Sequence, residues 1–196
     1  MKTGATVPVG VSARHVHLSQ RDLEILFGPG YQLTKRNDLS QPGQFAANEC
    51  VAVVGPKGKF DSVRVLGPVR SKTQVELAAT DAKKLGLNPP VRDSGDLAGS
   101  PGVTLVGPCG QLELQEGVII AKRHIHATPE DAEKVSLHDK QIVAVKVGKG
   151  DRKMIMGDVL VRVNPQFKWE MHVDTDEANA AGLCQGDLVE ICEWPC

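Results

Sequence analysis

The stretch "VAVVGPKGKFDSVRVLG" (residues 51–67) sets branched aliphatic residues on both sides of a four-residue turn. Valine favours extended backbone because its branched side chain packs well on a pleated surface. Glycine is expected to supply the positive φ that such tight turns require. The same grammar recurs in "VTLVGPCGQLEL" (residues 103–114) around "GPCG", and in "IVAVKVGKGDRKMIMGDVLVRV" (residues 142–163) around "GKGD". "GDLVEICEW" (residues 186–194) reads as a further strand. Three hairpins, 20 glycines, 12 prolines and only 4% aromatic residues predict many short strands joined by tight turns. No long amphipathic helix and no regular alternation of strand and helix is visible. The expected fold class is mainly β with short α-helices.

The helices share one pattern. Ser19 opens "SQRDLEILF", Thr80 opens "TDAKKLG", Thr128 opens "TPEDAEKV" and Thr175 opens "TDEANAAG". A hydroxyl at the helix start can accept from the first unpaired backbone N–H groups, and acids in the first turn favour the helix dipole. Pro129 suits the first helical position, and Gly86 and Gly182 suit the ends. Between these elements, "NPPVRDSGDLAGSPG" (residues 88–102) has no periodicity and reads as a linker, crossing between lobes or folding over the surface.

Working outward from these elements exposes an internal repeat. Arg14-His15-Val16-His17 returns as Arg123-His124-Ile125-His126, Ser19 as Thr128, Asp22 as Asp131 and Glu24 as Glu133, each 109 residues later. In a strand, residues i and i+2 share a face, so each H-x-H presents two imidazoles together. Glu76 and His172 stand just upstream of the other two helix starts and are the natural third ligands. Two imidazoles plus a third side chain suit zinc, and also cobalt, nickel or iron, with a coordination position left open. The competing reading makes these histidines edge-strand residues alike only through duplication. That reading leaves four polar rings beside apolar Val16 and Ile125 without a reason. His138, in "SLHDK", reads as a solvated loop residue.

Composition narrows the function. Net charge is −1, which does not suit a general polyanion binder, and the aromatic platforms for stacking nucleobases are missing. No apolar run reaches a membrane span. "MKTGAT" is too short for a targeting segment, so a cytoplasmic protein is expected. The five cysteines form no C-x-x-C and read as free thiols in a reducing compartment, with Cys109 in an exposed turn. Arg64, Arg70 and Lys72 cluster in sequence around Glu76, and an arginine beside a metal can orient a phosphate. "GPKGKF" is a turn and not a Walker loop.

The phrases "PVGVSARHVHLSQRDLEILFG", "LTKRNDLSQPGQFA", "VRVLGPVRSKTQVELAATDA" and "IIAKRHIHATPEDAE" strongly resemble the PduL-type phosphate acyltransferases, from about Val7 to Glu193. The resemblance implies interconversion of acyl-CoA plus phosphate with acyl phosphate plus CoA. It implies two small β-barrels, 1–13 plus 122–196 and 14–121, a dimetal site between them, and a homodimer. Matched by motif, His15, His17 and Glu76 hold one zinc, whose fourth position takes the CoA sulfur. His124, His126 and His172 hold the second. The resemblance further implies that Arg70 binds phosphate as the catalytic arginine and that Ser12, Arg64, Leu66 and Asn179 contact CoA. Members packed into microcompartments carry an N-terminal amphipathic segment; only "MKTGAT" precedes the match here, so encapsulation is not expected.

Two rivals share the same histidines. A metal-dependent hydrolase would turn over without phosphate and needs a general base poised near neutral pH. A structural zinc module would have closed coordination and unfold on chelation.

Overall fold

The computed structural model describes residues 4–192. Among them are fifteen strands and four α-helices of seven or eight residues. In chain order they are β1 (Thr6–Ser12), β2 (His15–His17), α1 (Gln20–Phe27), β3 (Lys35–Asp38), β4 (Phe45–Val54), β5 (Lys59–Gly67), β6 (Gln74–Glu76), α2 (Ala79–Leu85), β7 (Val91–Arg92) and β8 (Val103–Val106). There follow β9 (Gln111–Leu114), β10 (Val118–Ala121), β11 (His124–Ala127), α3 (Pro129–Val135), β12 (Ile142–Val147), β13 (Met154–Val163), β14 (Glu170–Asp174), α4 (Thr175–Ala181) and β15 (Leu188–Cys192). The fold is mainly β with short helices, as the turn-rich composition requires. The three hairpins are present, closing with Val54 opposite Lys59, Val106 opposite Gln111 and Val147 opposite Met154. Positive φ is used only in the third, at Gly148 and Gly150. The glycines of "GPKG" and "GPCG" are needed because a Cβ would strike helix carbonyls, on Gly55 that of Leu85 at 2.5 Å and on Gly107 that of Leu26. The last strand ends at Cys192; Glu193 and Trp194, expected to extend it, lie outside the described residues, as does Cys196.

The chain forms two compact units. The first takes the segment ending at Ser12, the three residues Ser40–Pro42, and the chain from Lys122 onward. Its strands close into a six-stranded barrel in the order β1-β14-β11-β13-β12-β15. β1 seals it, running parallel to β14 with Val9 opposite Met171 and antiparallel to β15 with Val7 opposite Val189. Closure leaves no unpaired edge. Alternation fills the interior: Val143, Val145 and Val147 of β12 are buried while Lys146 between them is exposed. They pack with Val7, Val9, Ile125, Val159, Val161, Met171 and Ile191.

The second unit, residues 13–39 and 43–121, is a nine-stranded sheet curled as a half-barrel. Its order is β7-β10-β6-β2-β5-β4-β8-β9, with β3 on β4. Val16, Leu18, Val51, Val53, Val65, Val75 and Leu105 form its core with Leu23, Leu26 and Leu85 from α1 and α2. All four helices are too short to persist alone. Three of them bury a pair of residues three apart: Leu23 and Leu26, Ala82 and Leu85, Ala178 and Ala181.

Two of the expected caps differ. Ser19 accepts from the Asp22 N–H, and Thr128 forms a reciprocal capping box with Asp131. Asp174, not Thr175, caps α4, pairing reciprocally with Glu177, so Thr175 is the first helical residue. Thr80 lies inside α2, whose N-cap is Ala78 without a side-chain cap bond. Residues 88–102 do not cross between lobes; the second expectation holds, and they fold over the surface of one unit. They belong wholly to the second unit, contribute β7, and bring Ser94 to the side chains described next.

Candidate metal and catalytic site

Each H-x-H phrase occupies a short strand between two neighbours. β2 runs parallel to β5 and antiparallel to β6, which sets His15 directly opposite Glu76. β11 runs parallel to β13 and antiparallel to β14, which sets His124 directly opposite His172. The third ligand thus comes from the adjacent strand, across from the first histidine. Val16 and Ile125 turn the other way and are fully buried in their cores. The strand is buried on both faces, by core on one and by imidazoles on the other.

Ligand atoms of His15, His17 and Glu76 lie within 4.8 Å of one another, and so do those of His124, His126 and His172. These are two sets that could each hold a metal ion. The details repeat between them. His15 Nδ1 lies 2.8 Å from the Ala13 carbonyl, and His124 Nδ1 lies 2.8 Å from the Lys122 carbonyl. A carbonyl only accepts, so each Nδ1 carries the proton and each Nε2 keeps a lone pair, the usual way a metal-binding histidine is oriented. The Nδ1 atoms of His17 and His126 are buried with no hydrogen-bond partner. Leaving such an atom unpaired costs about 1–3 kcal/mol. That the cost falls on the same member of both sets is the observation that fits a metal best.

Electrostatics keeps His17, His126 and Glu76 in ligand form. Burial, then the charges of His15 and Arg70, lower His17 to about 3, and burial with His124 and His172 lowers His126 to about 2. Both imidazoles are therefore neutral near pH 7. Burial alone would raise Glu76, yet His15, His17 and Arg70 hold it well below the usual carboxylate range. Burial alone would lower His15, but the Glu76 carboxylate outweighs it and the ring is raised.

Behind each set stands a second layer that the sequence reading did not find. Ser94 Oγ accepts from Arg70 at 2.9 Å and from Gln74 at 2.9 Å, and donates to Glu76 Oε1 at 3.0 Å. The hydroxyl is saturated, and it ties Arg70 to a candidate ligand. Gln74 also donates to Glu76 Oε1 and accepts from the Gly95 N–H at 2.7 Å. In the barrel, Glu170 lies 2.7 Å from His172 Nε2. The signal available was spacing: Q-x-E and E-x-H place a second polar side chain on the face that carries the third ligand. The arginine of each phrase also has a matched task. Arg14 pairs with Asp81 of α2 at 2.9 Å, and Arg123 pairs with Glu177 of α4 at 2.8 Å. Each links the H-x-H strand to the helix that follows the third ligand.

Of the remaining sequence candidates, Arg64 and Leu66 lie on β5, beside β2, and Arg64 donates to the carbonyls of Ala47 and Asn48. Ser12 ends β1, and Asn179 is exposed on α4. His138 is on an exposed loop. Cys109 is exposed, and no disulfide joins the four described cysteines. No described helix is long and apolar enough to cross a membrane.

Comparison with known proteins agrees with this geometry. Residues 8–184 match the family model described as phosphate propanoyltransferase. The phosphate propanoyltransferase of Thermotoga maritima is 62% identical over 95% of this chain and 89% of its own length. That of Enterococcus faecalis is 55% identical over 92% and 85%, and that of Salmonella typhimurium 51% over 90% and 83%.

Proposed function

The chain belongs to the phosphate propanoyltransferase family, and on that premise we propose that it interconverts acyl-CoA and phosphate with acyl phosphate and CoA at two zinc ions. Phosphate attacks the thioester carbonyl directly. A C–O bond forms, the C–S bond breaks, and CoA leaves as the thiolate. His15, His17 and Glu76 hold one ion and His124, His126 and His172 the other. The observation that carries this reading is the duplicated three-ligand set, with an unpartnered buried imidazole nitrogen in each copy. Imidazole and carboxylate donors without thiolate suit zinc, while cobalt, nickel and iron take similar sets. When bound, such ions supply Lewis acidity toward thiolate, carbonyl and phosphate oxygens.

The chain's own residues do the rest. Arg70, set against Glu76 through Ser94, offers a fixed positive charge to phosphate and to the oxyanion that develops on the carbonyl. Arg64 and Leu66, with Ser12 and Asn179, bind CoA. The acyl group is acetyl or propanoyl, which differ by one methylene worth about 1–3 kcal/mol in a pocket. The active form is a homodimer.

The test is thiol release from acetyl-CoA and propanoyl-CoA, with and without phosphate, on metal-loaded and chelated protein. Release that requires both phosphate and metal supports the proposal. Release without phosphate points to a hydrolase, and no release from folded, metal-loaded protein leaves the histidines structural.

A further inference from the structure

We infer that Glu170 is a positioning residue that fixes the ring and the proton of His172, so that His172 binds its metal through Nδ1 and not through Nε2. The inference rests on reading His124, His126 and His172 as a metal site.

Four observations carry it. First, Glu170 Oε2 lies 2.7 Å from His172 Nε2 and the residue is only 6% exposed. A carboxylate accepts, so the ring nitrogen facing it must donate, and the lone pair is left on Nδ1. His124 has the opposite tautomer, since its Nδ1 faces the Lys122 carbonyl. Second, the carboxylate is itself held. Ser40 Oγ and Gln41 Nε2 donate to Oε2, the latter at 3.3 Å, and Gln185 Nε2 lies 3.4 Å from Oε1. Gln41 is anchored in turn by two 3.0 Å bonds to the Lys168 backbone. The short excursion Ser40–Pro42 thus acts as a strap on Glu170. Third, β1 makes room for it. A Cβ on Gly10 would lie 2.9 Å from the Glu170 carboxyl carbon.

Fourth, the duplicated half has a chemically matched counterpart. Gln74 sits opposite His17 as Glu170 sits opposite His126, each two residues before the third ligand. Where that ligand is a carboxylate, the partner is an amide that donates; where it is an imidazole, the partner is a carboxylate that accepts. Duplication alone does not produce this complementarity. Glu170 is outside the set of ligand atoms that converge within 4.8 Å, which separates its role from ligation.

Two measurements test it. The first needs no variant: long-range proton–nitrogen correlation on histidine-labelled, zinc-loaded protein. His172 should carry its proton on Nε2 and His124 on Nδ1; a proton on Nδ1 of His172 overturns the inference. The second compares Glu170→Ala and Glu170→Gln by zinc titration against a chromophoric chelator and by the electronic spectrum of the cobalt-loaded protein. Losing an outer partner of this kind weakens metal binding about 10–100-fold. E170A should lose one of two ions to that extent and change the cobalt bands. E170Q should recover much of both, since its amide oxygen still accepts. Two ions held by E170A with unchanged affinity and spectrum overturn the inference. A wild-type protein whose zinc stoichiometry does not fall on His172→Ala overturns the metal reading itself, and this inference with it.

Discussion

Arg70 illustrates how one residue's partners decide what its loss should do. Its guanidinium reaches Ser94, and Ser94 reaches Glu76, so the arginine could serve phosphate or merely brace a ligand. If it serves phosphate, Arg70→Ala raises the phosphate KM, lowers kcat about 10²–10³-fold, and leaves two metals per chain. Arg70→Lys falls between, since lysine keeps the charge but not the fork. Steady-state kinetics alongside metal analysis separate the roles: loss of an ion in R70A assigns it to bracing. Glu49 supports a prediction about pH. It is 6% exposed and accepts from Tyr31 Oη at 2.9 Å, from Thr34 Oγ1 at 2.7 Å and from the Thr34 N–H. Burial alone would raise its pKa, but these bonds outweigh burial and hold it below 4.5. A depressed carboxylate contributes stability above its unfolded pKa and loses it as pH falls through the folded one. Urea midpoints should therefore drop below about pH 4.5, and Glu49→Gln should be less stable at pH 7 with a flatter acid limb. Equal acid limbs in the two proteins would remove Glu49 from that account. The six ligand candidates were legible at this scale because the H-x-H phrase repeats and because Glu76 and His172 stand just upstream of the other two helix starts. Ser94 was not, because a hydrogen-bond partner brought in from another segment leaves no periodic trace. Gln74 and Glu170 left only the Q-x-E and E-x-H spacing, which names a shared face and not the bonds made on it.

At the scale of elements, strands were easier to read than helix starts. Hairpins announce themselves through local turn chemistry, and all three formed where valine-rich flanks meet glycine. Helix starts in "VDTDEA" offer three side chains competent to cap, and backbone geometry chooses among them. Asp174 has extended backbone and accepts from the Glu177 N–H at 2.8 Å, while Thr175 is already helical. Removing a true cap costs about 0.5–2 kcal/mol. Asp174→Ala should thus lower the melting temperature by about 2–4 °C for each kcal/mol in a chain of this size, and Thr128→Ala should do likewise in α3. Thr175→Ala should shift it by no more than about 1 °C. Thermal melts of the three variants give the ranking, and a T175A loss equal to that of D174A would return the cap to Thr175. For the segment 88–102 the sequence left two paths open, between lobes or over the surface, and the structure takes the second. Its prolines and glycines limit regular structure to the two-residue strand β7, but they do not prevent a fixed path, and Ser94 shows that the path is fixed by side-chain bonds to Gln74, Glu76 and Arg70.

For the whole molecule, the duplicated phrase pointed to a repeated strand-and-helix unit, and the family resemblance placed the first strand with the C-terminal half, where it pairs with β14 and β15, whereas the register of that closure has no signal in the residues themselves. Val9 lies opposite Met171, and Gly10 is needed by Glu170, and neither relation has a local signal. This architecture bears on what metal removal should do. Each unit has its own apolar core. Leu18, Leu23, Leu26, Leu85 and Leu105 are fully buried in one, and Val7, Val9, Ile125, Met171 and Ile191 in the other. Each such side chain contributes about 1.5–3 kcal/mol on burial, so neither unit depends on metal for its fold as a zinc finger does. Binding of each ion at 100 times its dissociation constant adds about 2.7 kcal/mol, so two ions add about 5.4 kcal/mol, which at about 2–4 °C per kcal/mol is a melting shift of about 11–22 °C. Chelation should therefore abolish activity and lower the melting temperature by about that much. The far-ultraviolet circular dichroism should persist, and activity should return when zinc is restored. A chelated protein that loses its secondary structure would instead assign the ions to structure, and the two histidine sets would then stand as staples of the fold and not as its chemistry.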